Sequence, residues 1–279
     1  MKFVSVIIPV LNDGDRLRRC LEKLQQQTYP RDRYEIIVID NGSIEDIESL
    51  CHSFPNVLYA REPRAGSYTA RNAGILIAKG DIFVFTDSDC LPTFDWIEQG
   101  VNSLSSSDAG IIAGHVQFVS ASSKPTLIEY LDSVLHLNQA YYAQCGYSVT
   151  ANLFTWAWMF DQVGLFEEAA SLSDREWGMR VTKAGYSVRY SSTAYVYHPA
   201  RTTLGALLRK VRLQARHKSF WNWRDIWLHL RPCGLEFWRN VRRDRNLPTI
   251  KAKLQFIGLI HYVRWVNVWE VLQVKFGGV

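Results

Sequence analysis

The stretch "DIFVFTDSDC", residues 81–90, sets the unbroken apolar run Ile82, Phe83, Val84 and Phe85 directly against two carboxylates one residue apart, Asp87 and Asp89. A strand without polar alternation is buried on both faces, which is the habit of parallel sheets. Residues 4–10 (VSVIIPV) and 36–39 (IIVI) have the same character. Between them Leu17, Cys20, Leu21 and Leu24 recur at helical spacing, with Asn12 or Asp13 available as N-cap. The alternation continues through a helix over 45–54, a strand over 57–60, a helix over 68–79 closed by Gly80, and the strand 82–86. Right-handed crossovers join such units into one doubly wound parallel sheet. Ligands bind such sheets beyond the carboxyl ends of the strands. Three polar clusters fall there: LND at 11–13, DNGS at 40–43 and TDSD at 86–89.

After Leu91 the spacing predicts a helix over 94–106, a strand over 110–119 and a helix over 125–137. The aromatic segment NLFTWAWMF (152–160) follows. LSDREWGMRVTKAG (172–185) reads as a helix ended by Gly185, and YSVRYSSTAYVYHP (186–199) as strands. From Thr202 the chain is helical in pattern, basic, and holds six of the ten tryptophans. The fold class is therefore α/β: one Rossmann-like, mostly parallel sheet flanked by helices, with a helical C-terminal extension. The expected domains are 1–201, with a nucleotide-binding half to residue 90 and an acceptor half from 91, and 202–279.

With 47% hydrophobic residues in 279, the chain can bury a full core, which excludes a disordered protein. The five cysteines, Cys20, Cys51, Cys90, Cys145 and Cys233, form no C-x-x-C pair, so neither a zinc site nor a disulfide framework is indicated. They read as reduced thiols of a cytoplasmic protein. The opening MKFVSVIIPVLN is too short an apolar run for a signal peptide and reads as a first strand.

Charge is divided unevenly. Up to residue 200 there are 16 Lys/Arg against 23 Asp/Glu, a net of −7; from Arg201 there are 16 against 4, a net of +12. The two parts face different partners. In the basic part His261, Arg264 and Glu270 interrupt the best apolar run, so a transmembrane helix is not expected. Tryptophan and leucine interleaved with Arg and Lys fit a helix lying at the inner face of an anionic membrane. They also fit a helical cap on the catalytic domain or on a second copy, which would give a homo-oligomer.

Two carboxylates about 6 Å apart repel by roughly 3 kcal/mol at an effective dielectric near 20, a cost that a divalent cation removes. Oxygen ligands suit Mg²⁺ or Mn²⁺, whose shells are completed by phosphate oxygens and water. The D-x-D pair alone is equally a solvated Asx-turn. Asp40 could accept from a base N–H or a ribose hydroxyl, or cap its own turn. Arg64, Gly66, Arg71 and Asn72 lie in a loop and first helical turn suited to phosphate or sugar oxygens, and for Arg71 a structural salt bridge is the alternative.

The ordered series VSVIIPVLNDGDRLRRCLEKLQQQTYPRDRYEIIVIDNGS, PRAGSYTARNAG and GDIFVFTDSDCLP resembles the nucleotide-binding half of family 2 glycosyltransferases of GT-A fold, and the likeness extends from about Val4 to Arg201. That resemblance implies inverting transfer of a sugar from a nucleotide diphosphate donor, UDP-linked in most members, to a hydroxyl of a glycan or lipid-linked acceptor. By it Asp40 meets the base, Pro9 and Asn12 surround the nucleoside, and Asp87, Ser88 and Asp89 form the metal-binding motif. LSDREWGMR matches the family's acid motif and makes Asp174 the base, with Ser173 departing from the usual residue. Ser173 and Glu176 also spell an S-x-x-E capping box, which leaves Asp174 unused; Glu176 is the competing base. His198 in VYHPAR is a metal ligand or a packed histidine, and Arg201 a clamp for the departing diphosphate. Asn152, Trp156 and Trp158 fall where the family builds its acceptor wall.

Other classes fit less well. A nucleotidyltransferase would need a glycine-rich loop where PVLNDG stands, and a dinucleotide-binding oxidoreductase would show G-x-G-x-x-G there. A non-catalytic protein binding membrane or nucleic acid through its tail has no use for Asp40, Asp87, Asp89 and Asp174 together. No nucleic-acid partner is expected.

Overall fold

A computed structural model describes residues 1–120, 122–168, 172–215, 223–231, 234–244 and 246–276. Cys233 and Trp221 lie outside the described residues. In chain order the elements are β1 (Val4–Val10), α1 (Gly14–Leu24), β2 (Tyr34–Asp40), α2 (Ile47–His52), β3 (Val57–Arg61), α3 (Ser67–Ile77), β4 (Ile82–Thr86), β5 (Leu91–Pro92), α4 (Trp96–Ser105), β6 (Ala109–Val119), α5 (Leu127–Leu135), α6 (Gln139–Gln144), β7 (Asn152–Trp156), α7 (Trp158–Val163), α8 (Ser173–Lys183), β8 (Ser187–Pro199), α9 (Leu204–Ala215), α10 (Trp223–Leu230), α11 (Leu235–Arg243) and α12 (Ile250–Phe276). Two compact units result: Met1–Val119 with Leu137–Pro199, and Ser120–His136 with Ala200–Val279. This differs from the expected boundary at 201, because α5 groups with the C-terminal helices.

The first unit carries an eight-stranded sheet in the order β3-β2-β1-β4-β7-β6-β8-β5. Strands β3, β2, β1 and β4 are parallel, as their apolar runs require. The exception to the expected mostly parallel arrangement begins at β7, which runs antiparallel to both β4 and β6. Beyond it β6 and β8 are parallel and β5 is antiparallel to β8, so the sheet is mixed. Alternation along β1 divides the core: Val4, Val6, Ile8 and Val10 enter one cluster with Leu17, Leu21 and Trp96, while Ile7 enters the other with Phe85, Phe160 and Trp177. Gly80 does not close α3, which ends at Ile77 with Ala78 extended. Gly80 instead donates its N–H to Ser5 Oγ at 2.8 Å, and a Cβ there would lie 2.6 Å from the Ser5 nitrogen.

The second unit is helical. Leu131 of α5, Leu207, Leu208 and Val211 of α9, Val241 of α11 and Phe256, Ile257, Ile260, Val263 and Val266 of α12 form its core. Helix α5 begins with a reciprocal cap between Thr126 and Glu129. Its Asp132, fully buried, accepts from Arg201 N at 2.9 Å, from Arg201 Nη1 at 3.0 Å and from His136 Nδ1 at 2.9 Å. Burial alone would raise the Asp132 pKa, but the bonds from His136 and Arg201 hold it below the usual carboxylate value. Burial lowers that of His136 more than Asp132 raises it. Both folded pKa values are depressed, so both groups contribute stability above their unfolded pKa values and lose it as pH falls through the folded ones. The melting temperature is expected to drop as pH is lowered from about 6.5, first through His136 and below about 4 through Asp132. Melting curves read by circular dichroism check this, with a shallower slope near pH 6 expected for His136→Gln.

Among the described residues no helix is long and apolar enough to cross a membrane.

Candidate active site

The rim of the sheet is set by register. Val10 lies opposite Asp40, and Pro9 opposite Ile39 one residue inside the rim. Beyond Val10, Asn12 takes a left-handed backbone (φ 50°); its Oδ1 accepts from Ile44 N and its N–H donates to Ser43 Oγ, both at 2.9 Å. Asp13 holds the N-cap position of α1 without capping it, because its carboxylate reaches Arg16 Nε at 2.5 Å and accepts from Ser88 Oγ at 2.8 Å. Loops after β1 and β4 are thereby tied together.

Asp40 is 2% exposed. Its Oδ1 accepts from Ser43 N at 2.8 Å and its Oδ2 from Tyr59 Oη at 3.3 Å, with Arg61 Nε 3.8 Å away. Asn41 was not singled out by the sequence, yet it organises the loop entering α3. Its Nδ2 donates to the Glu62 and Arg64 carbonyls, and its Oδ1 accepts from Gly66 N at 2.9 Å. Gly66 stands at the N-cap of α3 with φ 137°, a conformation that needs glycine. Its N–H is thus already engaged. The exposed Arg64 pairs with Glu62 and Glu168.

From α3 the buried Arg71 sends Nη2 to Asp87 Oδ1 at 2.5 Å and lies 5.2 Å from the centroid of the Tyr68 ring. The structural salt bridge considered for Arg71 is therefore formed, and it fixes Asp87. Arg71 Nε is buried without a hydrogen-bond partner among the described residues. Asn72 is corrected as a donor contact: its amide donates to the Phe166 carbonyl at 2.8 Å and accepts from Phe166 N at 3.1 Å, so it clips two segments together.

At the end of β4, Asp87, Asp89 and the buried Cys90 meet His198 of β8, with one ligand atom of each lying within 4.8 Å of the others. Asp89 Oδ1 is 3.5 Å from His198 Nε2, and its Oδ2 is 3.5 Å from Arg16 Nη1. Burial pushes the Asp89 pKa up, the His198 charge pulls it down, and Asp87 pushes it up again. His198 Nδ1 donates to the Pro199 carbonyl at 2.8 Å, a bond that orients the ring and turns Nε2 toward Asp89. Burial and the two aspartates raise the Cys90 thiol far above its ordinary pKa, and its Sγ turns to the Ala151 carbonyl at 3.7 Å. Asp87, Asp89 and His198 offer an O,O,N set that fits Mg²⁺ or Mn²⁺.

Asp174 is the second residue of α8 and is buried. Its Oδ1 accepts from Arg175 N at 2.8 Å and its Oδ2 from Thr150 N at 3.4 Å. The Tyr68 phenol, which sequence reasoning missed, lies beside Asp174; burial first and the Asp174 carboxylate second raise the phenol's pKa. The expected Ser173–Glu176 capping box is not formed. Leu172 holds the N-cap, Ser173 Oγ donates to the Glu167 carbonyl, and Glu176 pairs with Arg180 at 2.8 Å. Asp87, Arg71, Tyr68 and Asp174 therefore follow one another, linking the metal-type cluster to the Asp174 carboxylate.

Residues 5–165 match the family model for Glycosyl transferase family 2. The chain belongs to that family. Glycosyltransferase AglE of Haloferax volcanii is 34% identical to this glycosyltransferase over 217 residues, 75% of this chain and 71% of the relative. Three further relatives are matched over less than half of their own length. Two solved structures share the fold over 98% of this chain. One is the mannosyltransferase PcManGT of Pyrobaculum calidifontis in complex with GDP-Man and Mn²⁺ (TM-score 0.62, 17% identity, 73% of that chain). The other is S. aureus TarS 1-349 in complex with UDP-GlcNAc (TM-score 0.56, 16% identity, 90% of that chain). The mixed sheet with its flanking helices is the GT-A fold.

Three further expectations for the glycosyltransferase are corrected. Because β7 is antiparallel, Trp156 lies opposite Ile82 at the far end of β4; with Trp158, Lys2 and Asp81 it lines a separate open hollow of about 640 Å³, away from Asp89. Asn152 is at the correct end but fully buried: Oδ1 accepts from Trp96 Nε1 at 2.9 Å, and Nδ2 donates to the His115 and Ala194 carbonyls at 2.8 and 3.0 Å. It is a structural keystone. Asn152→Leu is expected to cost about 4 kcal/mol by leaving three buried groups unsatisfied, measured by urea unfolding. Arg201, expected to clamp a diphosphate, belongs to the second unit and is held by Asp132. Near Asp174 the aromatic surface is instead Tyr142 stacked on Tyr147, ring centroids 4.9 Å apart; burial, then the Asp174 charge, raises the Tyr142 phenol.

Proposed function

We propose that this glycosyltransferase moves a sugar from a nucleoside diphosphate donor, with UDP the first candidate, to a hydroxyl of a glycan or lipid-linked acceptor, inverting the anomeric carbon. What supports the reading is the line from Asp87 through Arg71 and Tyr68 to Asp174, which links a cluster with cation-ligand chemistry to a buried carboxylate. Asp40 and Asn12 would receive the nucleoside beyond β1 and β2, where an acid at a strand end accepts from base or ribose. Pro9 would lie beneath the nucleoside near the end of β1, and Ser88, bonded to Asp13, would tie the loop after β4 to the loop after β1. Asp87, Asp89 and His198 would hold Mn²⁺ or Mg²⁺, which when bound neutralises diphosphate charge.

Arg71, itself buried, keeps Asp87 oriented, so that charge is preorganised rather than gathered during the reaction. Asp174 would accept the acceptor hydroxyl's proton as that oxygen attacks the anomeric carbon from the face opposite the diphosphate. A carboxylate of ordinary pKa suffices, since the proton leaves as the new bond forms. Tyr68 orients Asp174, and Tyr142 and Tyr147 offer ring faces to an acceptor sugar.

The test is a panel of nucleotide sugars assayed for Mn²⁺-dependent donor turnover, with the product anomer assigned by NMR. Inverted configuration is expected. Retained configuration, or turnover indifferent to divalent ions, would sink the proposal.

A further inference from the structure

Helix α12 is apolar on two opposite faces. One is covered: Phe256, Ile257, Ile260, Val263 and Val266 lie in the core of the second unit. The other carries Leu254, Tyr262, Trp265, Trp269 and Phe276 at steps of eight, three, four and seven, which keeps them in one helical stripe. These five are 44–63% exposed. From residue 254 to 276 the stripe is about 33 Å long.

Helix α10 extends the surface. It packs on α12 through Ile226, Val268 and Val271 and exposes Trp223, Trp227 and Leu230 at i, i+4 and i+7. Trp223 stacks on Phe276 with centroids 5.8 Å apart, joining the two stripes, and Trp265 stacks on Trp269 at 5.8 Å. Single exposed apolar residues are ordinary, but a continuous aromatic face of this length marks an interaction surface.

The charge around it identifies the partner. Lys251 begins the α12 stripe one turn before Leu254, and the exposed Arg224 and Arg231 border the α10 stripe. Glu270, the acid of α12, is engaged by Arg212 at 3.1 Å. The chain from Arg201 carries 16 Lys/Arg against 4 Asp/Glu, or +12. Two copies meeting through this face would bring those charges together, which opposes self-association. Nucleic acid calls for cations at the centre of the surface, whereas here the centre is indole and alkyl. Indole and phenol rings bordered by Lys and Arg match the headgroup region of an anionic bilayer, where rings sit at the interface and cations meet phosphate.

We propose that the exposed face of α10 and α12 docks on an anionic lipid surface, lying in its interface without crossing it. This stands apart from the transferase reading, since none of the rim aspartates takes part.

The test is vesicle flotation of the full chain with phosphatidylcholine alone and with added phosphatidylglycerol. Binding is expected only to the anionic vesicles, weakening with salt. It should fall about a hundredfold in Trp265→Ser/Trp269→Ser and about tenfold in Lys251→Glu, while the circular dichroism melt stays unchanged. Lipids brominated on the acyl chain should quench the wild-type tryptophan fluorescence, a readout that needs no variant. No binding to anionic vesicles, no quenching, or equal binding by a folded double variant overturns the proposal. So does a dimer in light scattering that the double variant separates, or RNA binding without vesicle binding.

Discussion

Asp174→Asn is expected to lower sugar transfer about 10³-fold while nucleotide binding stays within about twofold of the wild type. The amide is isosteric and can still accept from Arg175 N, so the start of α8 should keep its form. What it loses is the capacity to take a proton. The proposed donor contacts lie on the loops after β1, β2 and β4, so nucleotide affinity has no reason to change. Tyr68→Phe provides a graded companion: removing the hydroxyl beside Asp174 should cost about tenfold in kcat without removing the base. Steady-state kinetics with thermal-shift measurement of nucleotide binding check both. An Asp174→Asn protein with near-normal kcat would remove the base from the account.

Asp89→Ala should be as damaging to turnover, about 10³-fold or more, but for the opposite reason: donor binding itself should lose its dependence on divalent ions. Its effect on stability discriminates function from folding. Burial and the neighbouring Asp87 both push the Asp89 pKa up, so in the cation-free protein its charge is held at a cost that Arg16 and His198 only partly offset. The metal-free variant is therefore expected to melt at or above the wild-type temperature. A large drop in melting temperature would make Asp89 a structural residue.

The half of the fold from β1 to β4 was legible because each of its signals is local. The runs in β1, β2 and β4 lack polar alternation, and acids stand at their ends. What followed was less legible. NLFTW reads as a buried strand in either direction, and the direction is chosen by pairing with β4 and β6, far away in sequence. That one unread choice carried Trp156 to the wrong end of the sheet. Capping motifs misled in the same way: S-x-x-E at Ser173 is not formed, while T-x-x-E at Thr126, unremarked, is.

Polar residues near the rim were recognised as important but not for their roles. Asn72 and Asn152 spend their amides on Phe166 and on Trp96, His115 and Ala194, a matter of three-dimensional neighbours that no spacing announces. Asn41 follows Asp40 directly in DNGS, and Tyr68 stands three residues before Arg71, so both were within motifs already in view. Their work is to hold other groups in place, and motif chemistry looks for groups that touch a ligand.

The most direct test of the account is a calorimetric titration of the wild-type protein with UDP, and with GDP in parallel, in the presence of Mn²⁺ and after chelation. Saturable binding that requires the ion, persists in Asp174→Asn and disappears in Asp89→Ala is the expected result. Binding of equal strength without the ion, or none by either nucleotide with it, would contradict the assignment of this rim as a cation-assisted diphosphate site.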